Sequence, residues 1–221
     1  MSGCKLLAVI KGILLWLMVF IPSTITGTIL VLVTGNLVPS TVFMQLLFIV
    51  LSMVAVKFIL KSKFGIIGFR TTSFINILTA LLLSFIVATL IIYMEFHIAY
   101  AERFQFPIPE IRQNIILYFL VAFVLAPTGE ETLFRGLLLG YMLESQANPW
   151  IAITTAALLF SLIHVAPFSA TPIMQRAFIV ATAFIMSTIS GYLRKQSRSL
   201  LPAIVTHIGF NLSRFVITFL T

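Results

Sequence analysis

Acidic residues are scarce in this chain: six Asp and Glu stand among 221 residues, against fourteen Lys and Arg. Charged residues of both signs make up only 9%, where a soluble domain carries roughly 25%. An ordinary water-facing surface is thereby excluded. Cysteine is almost missing too. Cys4 is the single one, so neither an intramolecular disulfide nor a cysteine-based zinc cluster can form. What fills the chain instead is apolar: hydrophobic residues reach 60% and mean hydropathy is +1.14. The fold expected is all-α, a polytopic transmembrane helical bundle.

Apolar runs mark about seven spans, near 12–34, 41–60, 74–94, 113–142, 150–166, 176–193 and 200–220, with room for an eighth, re-entrant segment. The stretch from Gly12 is longer than a signal-peptide core of roughly 7–15 residues, so it reads as a retained first span. The net charge of +8 would suggest nucleic acid in a soluble protein. Here the basic residues cluster in short connections: Lys5 and Lys11, then Lys61, Lys63 and Arg70, then Arg194, Lys195 and Arg198. Seven spans put all three clusters on one side, with the N-terminus cytoplasmic and membrane lipids rather than nucleic acid as surroundings. The plasma membrane of a prokaryote is the expected location.

Two of the six acids are adjacent, in Pro127-Thr128-Gly129-Glu130-Glu131-Thr132-Leu133-Phe134-Arg135-Gly136. An ionisable group at the bilayer centre costs on the order of 2.5–3.5 kcal/mol, so such residues need partners and suggest a functional site. Pro127 interrupts the fourth segment, and Thr128 with Glu131 fits a capping box, predicting a helix that restarts at Thr128. Gly136 and Gly140 form a GxxxG pair, expected to admit another helix at close range. Glu131 and Arg135 share a helix face and can neutralise one another, while Glu130 is rotated ~100° away without a local cation. A desolvated carboxylate beside water suits a general base.

Two further pairs follow. Phe160 and His164 are four apart at the end of the fifth span, and His207 and Asn211 are four apart in the seventh, with Gly209 between them. Each alone has a bland reading, as an interfacial histidine or an interhelical hydrogen bond. Together, buried polar groups of this number are least costly when they meet around water. Two carboxylates, two imidazoles and an amide then describe a hydrolytic site: Glu130 takes a proton, a histidine orients the water, and His207 and Asn211 donate to the oxyanion. If the fifth helix enters the membrane at Trp150, His164 lies ~21 Å along it and His207 only ~10 Å into the seventh. A shared site therefore requires helices four and five to project beyond the inner face.

The ordered motifs EExxxR (Glu130, Glu131, Arg135), FxxxH (Phe160, His164) and HxxxN (His207, Asn211) resemble those of the CPBP intramembrane proteases, the Abi or type II CaaX prenyl protease family. The resemblance divides the chain into 1–110, without a recognised motif, and 111–221, a catalytic helical core. It implies an intramembrane endopeptidase acting on peptides or prenylated CaaX proteins, with Glu130 catalytic, Glu131 and Arg135 supporting it, and His164, His207 and Asn211 completing the site. Family members are commonly labelled metalloproteases, and Glu130, His164 and His207 would be the ligands if zinc were used; the H-E-x-x-H helix of many zinc proteases is missing. A metal-free, carboxylate-activated water is the reading preferred here. The alternatives are a catalytically idle immunity or scaffold protein and, with no inverted repeat to support it, a secondary transporter.

Overall fold

The computed structural model describes residues 2–61, 64–98 and 115–220. Lys63 and residues 99–112 of the connection after the third span lie outside them, as do residues 113–114 at the start of the predicted fourth span. Among the described residues every regular element is helical. We number the rods α1 (Ser2–Thr34), α2 (Leu37–Ile59), α3 (Phe74–Ile98), α4 (residues 115–144), α5 (Pro149–Leu162), α6 (Ile173–Ser197) and α7 (Leu201–Leu220). These are the seven apolar runs of the sequence. Four of them, α1, α2, α3 and α6, are long and apolar enough to cross a membrane, whereas α5 and α7 are shorter apolar helices.

Local chemistry sets the ends. Asn36 caps α2, its side chain accepting from the Val38 amide at 2.9 Å. Asn148 caps α5 by accepting from Trp150 and Ile151, with Pro149 at the first helical position, where a missing N–H costs nothing. Lateral faces carry exposed large apolar residues, among them Leu14, Ile21 and Ile29 on α1 and Phe74, Leu82 and Ile86 on α3. Such a surface requires lipid rather than water.

α4 is the axis of the molecule. Every residue from Glu131 to Gly140 is buried, and one hydrophobic cluster joins its Leu133, Phe134 and Leu137 to Trp16 of α1, Phe48 of α2, Phe160 of α5 and Phe210 of α7. α4 does not restart at Thr128 as the capping box predicts. It continues through Pro127, because Val121–Leu125 and Thr132–Leu138 wind as π-helix on either side of Ala126–Glu131. Residue Leu125, not Thr128, precedes this short segment, and no side chain caps it. In the first π-segment Ala126 donates five residues back to Val121. In that register the Ala122 carbonyl would await Pro127, which has no N–H. Asn211 of α7 fills the vacancy, its Nδ2 donating to Ala122 O at 2.7 Å.

The glycine pair also finds an unexpected neighbour. Gly136 and Gly140 do not receive a helix; a Cβ at Gly136 would meet Ile67 at 3.0 Å, and one at Gly140 would strike the Ile66 carbonyl. Both therefore accommodate the 3₁₀ turn Phe64–Ile66 and the fully buried Ile67, which fold back into the bundle between α2 and α3. Close approach is real, but the partner is a loop.

Candidate functional site

The acids lie on the short α-turn between the two π-segments, a helix irregularity often found at functional sites. Glu131 is completely buried. Its Oε1 lies 3.0 Å from Arg135 Nη1 and 3.1 Å from His207 Nδ1, and its Oε2 accepts from Ser190 Oγ at 2.7 Å. A carboxylate so placed can only accept, so His207 donates from Nδ1, and in the neutral imidazole Nε2 is the lone-pair nitrogen. The carboxylate thus fixes the tautomer of the imidazole and its orientation.

Arg135, also fully buried, makes no directed hydrogen bond from its three side-chain nitrogens among the described residues. Its charge rests on Glu131 and on aromatic faces. The guanidinium carbon lies 4.5 Å from the Phe160 ring centroid and 6.0 Å from that of Phe134. Desolvated contacts of this kind are worth about 2 kcal/mol or more. Phe160 is consequently a hub. Its ring is 4.8 Å from His164 and 5.9 Å from His207, edge-on to the latter at 87°. The phenylalanine of the FxxxH motif spaces the two histidines as well as preceding one of them.

His164 follows the end of α5, half-buried, with Nδ1 2.7 Å from the Phe160 carbonyl. That carbonyl can only accept, so His164 donates from Nδ1, and its neutral form has Nε2 as the acceptor. Both histidines and Asn211 line one cavity of about 220 Å³, whose other walls include Ala88, Phe168, Met186 and Arg214. The level mismatch expected from straight helices does not keep them apart. Asn211, expected to serve an oxyanion, has one N–H committed to Ala122, so its first duty is to hold α7 against the proline turn.

Glu130 is separate from this wall. It is half-buried, it accepts from Gln45 Nε2 of α2 at 3.0 Å, and it is not among the residues lining the cavity. Gln45 is only 2% exposed, and a Cβ at Gly129 would collide with it, so the bare glycine lets α2 deliver the amide. Among the described residues no three His, Cys, Asp or Glu side chains gather as a metal-ligand set. Both Glu131 oxygens are taken by Arg135, His207 and Ser190, and one Glu130 oxygen accepts from Gln45. Of the three residues a zinc ion would use, His164 and His207 share one cavity and Glu130 is not on its wall.

Gln45 and Ser190 were not singled out in the sequence, although both bind the acids. A lone amide inside the apolar second span was the available signal for Gln45. Ser190 gave none, since serines recur through α6. A second buried ion pair, Glu95 to Arg214 at 2.7 Å, joins α3 to α7 beside the cavity.

A family model described as Rce1-like, type II CAAX prenyl endopeptidase, matches residues 112–213. Comparison with curated proteins gave no match, and neither did comparison with solved structures.

Proposed function

We propose that this chain is an integral membrane protease of the Rce1-like type II CAAX prenyl endopeptidase family, whose model matches residues 112–213, and that it hydrolyses a peptide bond near the C-terminus of a prenylated or otherwise membrane-held substrate. The observation that carries the reading is the buried carboxylate–imidazole pair, Glu131 to His207 Nδ1, set against a cavity shared with His164 and Asn211. Glu130 accepts the proton of the attacking water. The Nε2 atom of one histidine, His164 or His207, accepts the water's other hydrogen and orients it, and the leaving amine regains the proton from Glu130. Asn211 has a second N–H for the carbonyl oxygen of the scissile bond. Residues 111–221 supply this core, and residues 1–110 contribute Gln45 to it. The basic ends of the helices face the cytoplasm, as does the N-terminus.

A second assignment has its own support. The cavity wall includes His207 but not Glu130, so His207, oriented by Glu131, is the competing general base. The test compares Glu130→Gln with His207→Gln in purified protein, using a prenylated CaaX peptide. A general base contributes roughly 10²–10⁴-fold. Glu130→Gln should lose that much in kcat while the protein stays folded. Retention of more than a tenth of kcat in Glu130→Gln, with loss in His207→Gln, transfers the role to His207. Cleavage of no peptide by the wild type, across a library of membrane-held peptides, would overturn the protease reading for this chain. A chelator should leave the rate within about twofold, since a carboxylate-activated water needs no ion.

A further inference from the structure

At one end of the bundle, the loop between α2 and α3 lies against the α6–α7 turn. Leu200 donates its amide to Gly68 O at 2.8 Å, and Arg70 Nε donates to the Arg198 carbonyl at 2.6 Å. Two of the three basic clusters of the sequence are thereby brought together around a cleft of about 810 Å³. Arg70, Arg194, Lys195 and Arg198 line it together with Gly65, Gly140 and Gln146. Glu144 is the one acid on its wall, exposed and without an ion pair to any of the four among the described residues.

Arg194 sets this cleft apart from a solvated basic face. It is only 4% exposed, yet no carboxylate pairs with it among the described residues. One nitrogen donates to Ile66 O at 2.8 Å, while Nε is buried without a partner. The chain is shaped around this guanidinium. Gly68 has φ +84°, and a Cβ there would come within 2.6 Å of the guanidinium carbon, so a positive-φ glycine is what lets the loop pass. A buried cation without a counter-charge is costly. The C-terminal dipole of α6 offsets a fraction of one charge, not four.

We propose that this cleft is an anion site for a phosphate group, either free phosphate or the phosphodiester of an acidic lipid. A guanidinium fork matches phosphate oxygens, and neighbouring ammonium and guanidinium groups supply the remaining charge. Basic pockets between membrane helices at the cytoplasmic face are suited to lipid head groups. Bound there, the anion would tie the loop 64–70 to the α6–α7 turn. Ile66 and Ile67 of that loop are the residues wedged against Gly140 and Gly136, so the anion would brace the same helix that carries Glu130 and Glu131. The inference does not depend on the protease assignment.

Full-length protein in neutral phosphatidylcholine nanodiscs is titrated with inorganic phosphate, and in a second arm phosphatidylglycerol replaces part of the phosphatidylcholine. The thermal unfolding midpoint is followed in each. The expected result is a saturable rise in one arm or both. The lipid arm alone identifies a head group, and a rise with inorganic phosphate identifies the phosphate group itself as sufficient. Lys195→Gln with Arg198→Gln removes two cations whose side chains make no hydrogen bond among the described residues. It should raise the half-saturating phosphate concentration or lipid fraction about tenfold or more, at roughly a fewfold per cation. Arg194→Gln should abolish the response if it folds. No rise in either arm, or the same half-saturation in wild type and the Lys195/Arg198 variant, would overturn the proposal.

Discussion

Glu131 and Glu95 are both almost wholly withdrawn from solvent, and each faces an arginine. Glu95 of α3 meets Arg214 of α7 at 2.7 Å, and Glu131 meets Arg135 one turn along α4 at 3.0 Å. There the likeness stops. Among the described residues no imidazole or hydroxyl joins Glu95, whereas Glu131 also holds Ser190 and His207. An ion pair alone fixes how two helices pack. A carboxylate given more donors than neutralisation requires passes its orientation to a third group, and here that group is a histidine on a cavity wall. Two equally buried acids therefore have different work, and the difference is visible in their partners rather than in their burial.

Removing the Glu131 charge should have the larger effect. Glu131→Gln leaves Arg135 buried without its carboxylate, and breaking such a pair costs about 3–5 kcal/mol. His207 loses its fixed tautomer at the same time. The expected outcome is a lowered unfolding midpoint in detergent together with loss of peptide cleavage at temperatures where the variant is still folded. If cleavage survives in the folded variant, Glu131 is an ion-pair residue like Glu95 and the contrast fails.

Breaking the other pair should affect stability more than turnover. Arg214→Met strands Glu95 and should cost about 3 kcal/mol, while the double variant Glu95→Gln with Arg214→Met should recover to within about 1 kcal/mol of wild type. Cleavage by the double variant should fall by less than about tenfold, because no step of the proposed reaction uses either residue. Abolished cleavage in a stable double variant would give Glu95 and Arg214, the latter already on the cavity wall, a part in the reaction as well as in packing.

The seven apolar runs and the three motifs could be read in the sequence because each is local: a run has a length, and a residue four positions away shares a helix face. The pairing of Glu131 with Arg135 followed from that spacing alone. The partners from elsewhere did not. Gln45 is 85 residues from Glu130 and Ser190 is 59 from Glu131, and no periodicity links them. The course of α4 at Pro127 was misread for a physical reason. A capping box satisfies amides that a break sets free, but two π-segments and the side chain of Asn211 keep α4 continuous without one. The glycine pair correctly signalled close approach. It could not say that the 3₁₀ turn after α2 would occupy the space.

The smallest perturbation tests the contrast most finely. Ser190→Ala removes one donor from Glu131 and leaves its charge, its arginine and its histidine in place. A hydrogen bond to a buried charged group is worth about 1.5–3 kcal/mol in soluble proteins, while interhelical hydrogen bonds in membranes average about 0.6. A loss of about 1 kcal/mol in stability is therefore expected. Turnover supplies the sharper reading. If Ser190 serves only to join α6 to α4, kcat at a temperature well below unfolding should stay within about twofold. If it sets the carboxylate that sets His207, kcat should fall further while KM holds, and Ser190→Thr, which restores the hydroxyl, should return it. That pattern would extend the chain of control from α6 through Glu131 to the histidine, a connection for which Glu95 has no second donor among the described residues.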